Sequence, residues 1–148
     1  MVTASDSRSA ETDESGLLIR DMLIAAGHRV EYYEILPDDP SRIRQALLDN
    51  LRNLDAIIVN GGTGIAARDS TIEVVRMLLD KELEGFGELF RYLSYQQIGS
   101  AAFLSRALAG VAAGKIVVTL PGSPDACRLA MEKLLIPELG HMAHLLKL

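Results

Sequence analysis

The chain has 148 residues and a mass of 16.1 kDa, is 49% hydrophobic and 24% charged, and has a mean hydropathy of +0.18. That length suits one domain, residues 1–148, burying roughly two-thirds of the unfolded chain's surface. The apolar content excludes a disordered tail protein. Fifteen basic against twenty acidic residues leave a net charge of −5, which argues against a nucleic-acid backbone as partner. Loops and helix starts still bind small anions locally, whatever the global charge. A single cysteine, Cys127, excludes an internal disulfide and a thiolate metal cage and fits a reducing compartment. Residues 1–8 lack the basic start and apolar stretch of a signal peptide. The longest uncharged run, residues 92–105, falls short of the roughly 20 apolar residues of a membrane span. The expectation is a soluble, cytoplasmic protein without membrane or nucleic-acid contacts, and the positive hydropathy points to an oligomer.

In chain order, Val2, Thr3 and Ala4 form a short stretch of β character. Leu17, Leu18, Met22 and Ala25 recur at helical spacing over residues 13–26, and Gly27 supplies the stop. Residues 30–36 predict a strand with Tyr32, Tyr33 and Ile35. A turn at Pro37-Asp38-Asp39-Pro40 follows, and Ser41 is placed to cap a helix carrying Ile43, Ala46, Leu47, Leu51 and Leu54 on one face. Ala56-Ile57-Ile58-Val59-Asn60 is a continuous apolar run, the pattern of a strand buried on both faces. Residues 71–83 and 88–98 predict helices separated by Gly85-Phe86-Gly87. Residues 101–109, rich in alanine, predict a further helix. Ile116-Val117-Val118-Thr119-Leu120 is a second buried strand. The tail from Asp125 is helical, with interruptions expected at Pro137 and Gly140. Strands and helices in alternation, with strands apolar throughout, imply parallel βαβ units and a three-layer α/β/α sandwich.

In such sheets ligands gather beyond the carboxyl ends of the strands. Those ends carry Ser5-Asp6, Pro37-Asp38, Gly61-Gly62-Thr63-Gly64 with Arg68-Asp69 close behind, and Pro121-Gly122-Ser123-Pro124. All four are expected at one edge of the sheet. The Gly61 loop lets the main chain approach an anion. It is neither a Walker A loop, lacking Gly-Lys-Ser/Thr, nor a dinucleotide fingerprint. Ser123 followed by Pro124 has the form of a helix N-cap with proline at the first helical position. Asp69 and Asp38 are candidate Mg²⁺ ligands, that ion commonly taking one or two carboxylates plus substrate phosphates, and each also has a plain reading as a helix-start or turn residue. Ser105-Arg106 offers a hydroxyl and a guanidinium to a phosphate. Cys127 and the methionines fit core packing.

Taken in order, Gly61-Gly62-Thr63-Gly64 with Arg68-Asp69, Gly85-Phe86-Gly87-Glu88, Ile98-Gly99, Ala102-x-x-Ser105-Arg106-Ala107 and Leu120-Pro121-Gly122-Ser123-Pro124 resemble the molybdopterin adenylyltransferases of molybdenum-cofactor biosynthesis, the MoaB/MogA type. The likeness runs from Thr3 to about His141. It implies a three-layer fold and transfer of AMP from MgATP to the terminal phosphate of molybdopterin, with release of pyrophosphate. Asp69 corresponds to the family's essential aspartate and Asp38 to a second functional carboxylate, with Mg²⁺ near both. By the same resemblance, Gly61, Gly62, Thr63 and Gly64 hold nucleotide or pterin phosphate. Ser105 and Ser123, with Pro121 and Gly122, serve the pterin-phosphate side, and Arg106 the transition state. Glu88 shapes the pocket, and the opening Ser5-Asp6 also fits the pattern. A homo-trimer or homo-hexamer is implied, and the small and aromatic residues around 86–93 and 101–109 are the surfaces expected to pack between subunits.

The sequence departs from the family at three places. Ala66-Ala67 stand where Thr or Ser and then Pro usually precede the Arg-Asp pair, and Thr71-Ile72-Glu73 replaces Thr-Pro-Glu. The family's first strand usually extends further upstream of Thr3, so that either a trimmed start or a very short first strand is expected. The alternative function is a module of the same fold that binds molybdopterin or a nucleotide without turnover.

Overall fold

Side chains alternate between the two faces along each central strand, and apolar residues recurring at every third or fourth position of the helices cover both faces of one sheet. The computed structural model describes residues 1–148. Its elements are β1 (Val2–Ala4), α1 (Glu14–Ala25), β2 (Glu34–Leu36), α2 (Pro40–Asn50), β3 (Ala56–Asn60), α3 (Thr71–Leu78), β4 (Lys81–Glu82), α4 (Glu84–Ile98), β5 (Leu108–Ala112), β6 (Lys115–Leu120), α5 (Pro124–Ala130) and α6 (Ile136–Leu145). A 3-10 turn, Gly99–Leu104, follows α4, and a π-helical turn, Met131–Leu135, joins α5 to α6. The six strands run in the order β2-β1-β3-β6-β5-β4.

Alternation along the central strands divides the core. Ile58, Ile116, Val118 and Leu120 pack with Ile19 and Leu23 of α1, Phe90 of α4 and Cys127 to Leu139 of the C-terminal helices. Ile57, Val59 and Val117 face the other way, onto Ile43, Ala46 and Leu47 of α2 and Ile72, Val74 and Val75 of α3. The result is the expected three-layer α/β/α arrangement. Burying side chains such as Ile57, Ile116 and Leu120, each essentially inaccessible, stabilises the sheet by about 1.5–3 kcal/mol apiece.

Several expectations are corrected. β1, β2, β3 and β6 are mutually parallel, but β5 runs antiparallel to β6 and β4 antiparallel to β5. The alanine-rich stretch is therefore no helix: residues 99–104 make the 3-10 turn and residues 108–112 form β5. Alanine's helix propensity is worth only a few tenths of a kcal/mol per residue, and hairpin geometry outweighs it. Ala113 and Gly114 both have positive φ, 50° and 73°, as a two-residue turn matched to strand twist requires. The Asp80 carboxylate accepts from the Ala113 amide at 2.7 Å. Gly110 allows β5 to lie against the Lys81 carbonyl and the Leu79 side chain.

Helix α3 stops at Leu78 rather than residue 83 because residues 81–82 pair with β5. Helix α4 begins at Glu84 and runs through Gly85 and Gly87. Only Glu34–Leu36 of the expected second strand is paired. Asp39, not Ser41, caps α2, its carboxylate accepting from the Arg42 amide at 2.9 Å. Pro137 does not break the tail, since proline is tolerated in the first turn of α6, and Gly140 is carried within that helix. No helix is long and apolar enough to cross a membrane.

Candidate functional site

Parallel pairing in register brings the strand exits together. Asn60 of β3 lies opposite Leu120 of β6, Thr3 opposite Asn60, and Ala4 opposite Leu36. The loops starting at Gly61 and Pro121 thus leave the sheet side by side, and the Gly61 amide donates to the Leu120 carbonyl at 3.0 Å. The expected common edge is what the structure has. An open cleft of about 640 Å³ sits there, lined by residues from all four parallel strand ends.

The β3–α3 loop is built for close approach. Gly61 and Gly62 have φ of 92° and 62°, a region costly to residues with a Cβ. A side chain at Gly61 would strike the Ala4 carbonyl, and one at Gly62 would meet Thr71 Oγ1 and lie 2.9 Å from Asp38 Oδ1. The loop then curls so that Asp69 Oδ2 accepts from the Ala66 amide at 3.0 Å. Ala66 therefore makes through its backbone the contact that holds Asp69. The amides of Gly62, Thr63 and Gly64 donate to no protein acceptor, and neither do those of Gly122 and Ser123. Ser123 Oγ accepts from the Ala126 amide as N-cap of α5, with Pro124 at the first helical position.

Asp38 carries the main electrostatic imbalance. Burial first, and then the carboxylates of Asp6 and Asp69, push its pKa above the usual range, against the pull of Arg68. Its Oδ1 is buried without a hydrogen-bond partner, as are Thr71 Oγ1, Ser70 Oγ and Ser105 Oγ. Unpartnered buried polar atoms are costly and uncommon in folded proteins. Surplus negative charge beside an unfilled acceptor fits a divalent cation. No third histidine, cysteine or acidic side chain closes a cage around it, which suits an ion that takes its remaining ligands from phosphates.

Of the residues singled out in the sequence, Ser5, Asp38, Gly61, Gly62, Thr63, Gly64, Asp69, Ser105, Pro121, Gly122 and Ser123 line the cleft. Asp6 stands behind it, accepting from the Asp38 amide at 3.0 Å. Arg106 turns to the back of the loop. It donates to the carbonyls of Thr63 at 3.0 Å, Gly64 at 2.6 Å and Asp69 at 3.3 Å, and it pairs with Glu73. The pairing holds the Glu73 carboxyl below its ordinary range. Glu88 is exposed on α4 and is not among the lining residues.

Sequence reasoning missed Asp13, Asn60 and Thr71. Asp13 is buried, caps α1 through the Gly16 amide, and accepts from Thr3 Oγ1 at 2.6 Å and the Tyr33 hydroxyl at 2.5 Å. Burial and the Asp13 carboxylate raise the Tyr33 pKa. Helix periodicity gave residue 13 only as the start of a helix, and nothing local showed that its carboxylate caps α1 and also reaches Thr3 and Tyr33.

A family model described as "Probable molybdopterin binding domain" matches residues 1–141. The chain is 54% identical to molybdenum cofactor biosynthesis protein B of Bacillus cereus over 96% of this chain and 86% of that protein. It is 49% identical to the protein of that name from Staphylococcus carnosus, over 97% and 87%. A crystal structure of a molybdenum cofactor biosynthesis protein B superposes with a TM-score of 0.95 at 53% identity, covering 99% of this chain and 92% of that one. The tungsten cofactor synthesizing protein MoaB of Pyrococcus furiosus superposes at 0.89 with 38% identity, covering 99% and 94%. The fold is thus shared along almost the whole length, and the chain belongs to the MoaB/MogA family of molybdopterin-binding domains.

Proposed function

We propose that the chain acts in molybdenum-cofactor biosynthesis, transferring AMP from ATP to molybdopterin. The observation that carries this is the meeting of unpaired loop amides with two carboxylates at one polar cleft. Amides bind phosphate oxygens, and fixed donors cost no reorganisation as charge develops. The terminal phosphate oxygen of molybdopterin forms a bond to the α-phosphorus of ATP while the bond to the β-phosphate oxygen breaks, and pyrophosphate leaves. The nucleophile is already ionised, so no side chain need take a proton. Asp38 and Asp69 would hold Mg²⁺, which offsets triphosphate charge. The Gly62, Thr63 and Gly64 amides take one phosphoryl group, and Gly122, Ser123 and Ser105 the pterin phosphate. Arg106 serves by holding the loop through three carbonyls.

Incubation with MgATP and molybdopterin tests the reading: pyrophosphate and adenylylated pterin should both appear. Asp69→Asn should cost about 10²–10³ in turnover, the scale of losing one charge-stabilising group, with molybdopterin binding changed only a few-fold. Pterin binding without pyrophosphate release would replace the enzyme by the non-catalytic binding module.

The assembly is a homo-trimer or homo-hexamer in this reading. Leu89, Tyr92, Tyr95 and Ile98 recur along α4 with more than half their surface exposed, and Phe103 beyond them is 75% exposed. Apolar rows of this kind mark interaction surfaces. Light scattering should give three or six times the 16.1 kDa of one chain, and a monomer mass would refute it.

A further inference from the structure

A second pocket, of about 260 Å³, lies behind the β3–α3 loop, lined by Ile72, Arg76, Arg91, Phe103, Ser105 and Arg106. Three guanidiniums, which can only donate, and one hydroxyl make up its polar lining. Arg76 pairs with Glu82 and Arg106 with Glu73. Arg91 has no carboxylate within ion-pair distance, and reaches only the Ser105 and Ala107 carbonyls, at 3.4 Å each. Three cations therefore face two carboxylates.

Two further features set this apart from a solvated basic patch. Gly87 sits inside α4, where glycine costs about 1 kcal/mol relative to alanine. A Cβ there would lie 2.8 and 2.9 Å from the two terminal nitrogens of Arg91. The helix thus carries a destabilising residue at the position where this guanidinium is seated. Ser105 Oγ, on the wall between pocket and cleft, is buried and has no partner.

We propose that this pocket binds a phosphoryl group, with Arg91 and Arg76 donating to its oxygens. Guanidiniums match phosphate oxygens in charge and in fork geometry, and Phe103 offers an apolar wall at the rim. Two sources carry the same chemistry: free phosphate, or the phosphoryl end of a ligand reaching past Ser105 from the cleft.

The test follows the side-chain Nε–H signals of the arginines in the ¹⁵N-labelled full chain. Inorganic phosphate and then ATP are titrated against chloride at matched ionic strength. Saturable shifts at Arg91 and Arg76 are expected. Inorganic phosphate alone sufficing identifies the free ion, and a response to ATP only identifies a ligand extending from the cleft. Arg76→Gln, at the exposed rim and away from the loop, should weaken the response at Arg91 by about tenfold, one charge-assisted contact's worth. Arg91→Lys keeps the charge without the fork and, read at the Arg76 Nε–H, should weaken the response there as well. The proposal fails if neither anion moves Arg91 more than chloride does, or if Arg76→Gln leaves the response unchanged. Arg91 then only ties the 3-10 turn to β5. Because the readout is binding, a chain without adenylyl transfer would leave this outcome unaffected.

Discussion

The two glycine-bearing loops at the ends of β3 and β6 are neighbours, yet they are finished differently. The loop after β6 is unstrained: Ser123 caps α5, Pro124 takes the first helical position, and no residue from Pro121 to Pro124 has positive φ. The loop after β3 holds two left-handed glycines and faces three buried oxygens without partners, on Asp38, Ser70 and Thr71. One loop is a helix start that also presents amides; the other keeps strain and unmet polar groups. Strain and orphaned groups persist where the surroundings enforce them, and they concentrate at binding sites.

Substitutions can break that contrast, and the largest effect belongs to the strained side. Gly61→Ala adds a Cβ against the Ala4 carbonyl at φ 92°, and should cost about 3 kcal/mol in urea unfolding. Ser123→Ala removes an N-cap and should cost about 1 kcal/mol, read from the same curves. A loss as large as that of Gly61→Ala would mean that the β6 loop is strained too.

Asp38→Asn sharpens the comparison in the opposite direction. The folded state raises the Asp38 pKa, so ionised Asp38 weakens folding as pH rises through that value. Without ligand, the variant should melt above the parent at neutral pH. The gap should close in acid, where the parent's carboxyl is protonated. A variant melting below the parent at neutral pH would remove the electrostatic account. The smallest effect is expected for Gly122→Ala: its only near neighbour is Gly61 Cα at 3.5 Å, so stability should stay within about 0.5 kcal/mol.

Much of this was legible locally. The apolar runs at residues 56–60 and 116–120 have the pattern of strands covered on both faces, and the glycines following each point to a ligand edge. The antiparallel edge was not legible. Residues 107–112 have the composition of a helix, and they become a strand because a positive-φ pair at Ala113 and Gly114 folds them onto β6. Long-range pairing overrides weak intrinsic propensity.

For the site, the sequence by itself determined the chemical inventory: which loops carry amides, hydroxyls and carboxylates, and that four of them leave the sheet at one edge. Strand alternation suffices for that, because parallel strands joined by helices all point their carboxyl ends the same way. Only the tertiary structure decided which groups meet and which are left unpaired. It buried Asp13 beneath the cleft, turned Arg106 away to clamp the loop from behind, left Glu88 on the surface, and set Asp38 beside Asp6 and Asp69. Those outcomes depend on side chains far apart in the chain competing for the same few donors and acceptors, and on burial, which no local pattern encodes.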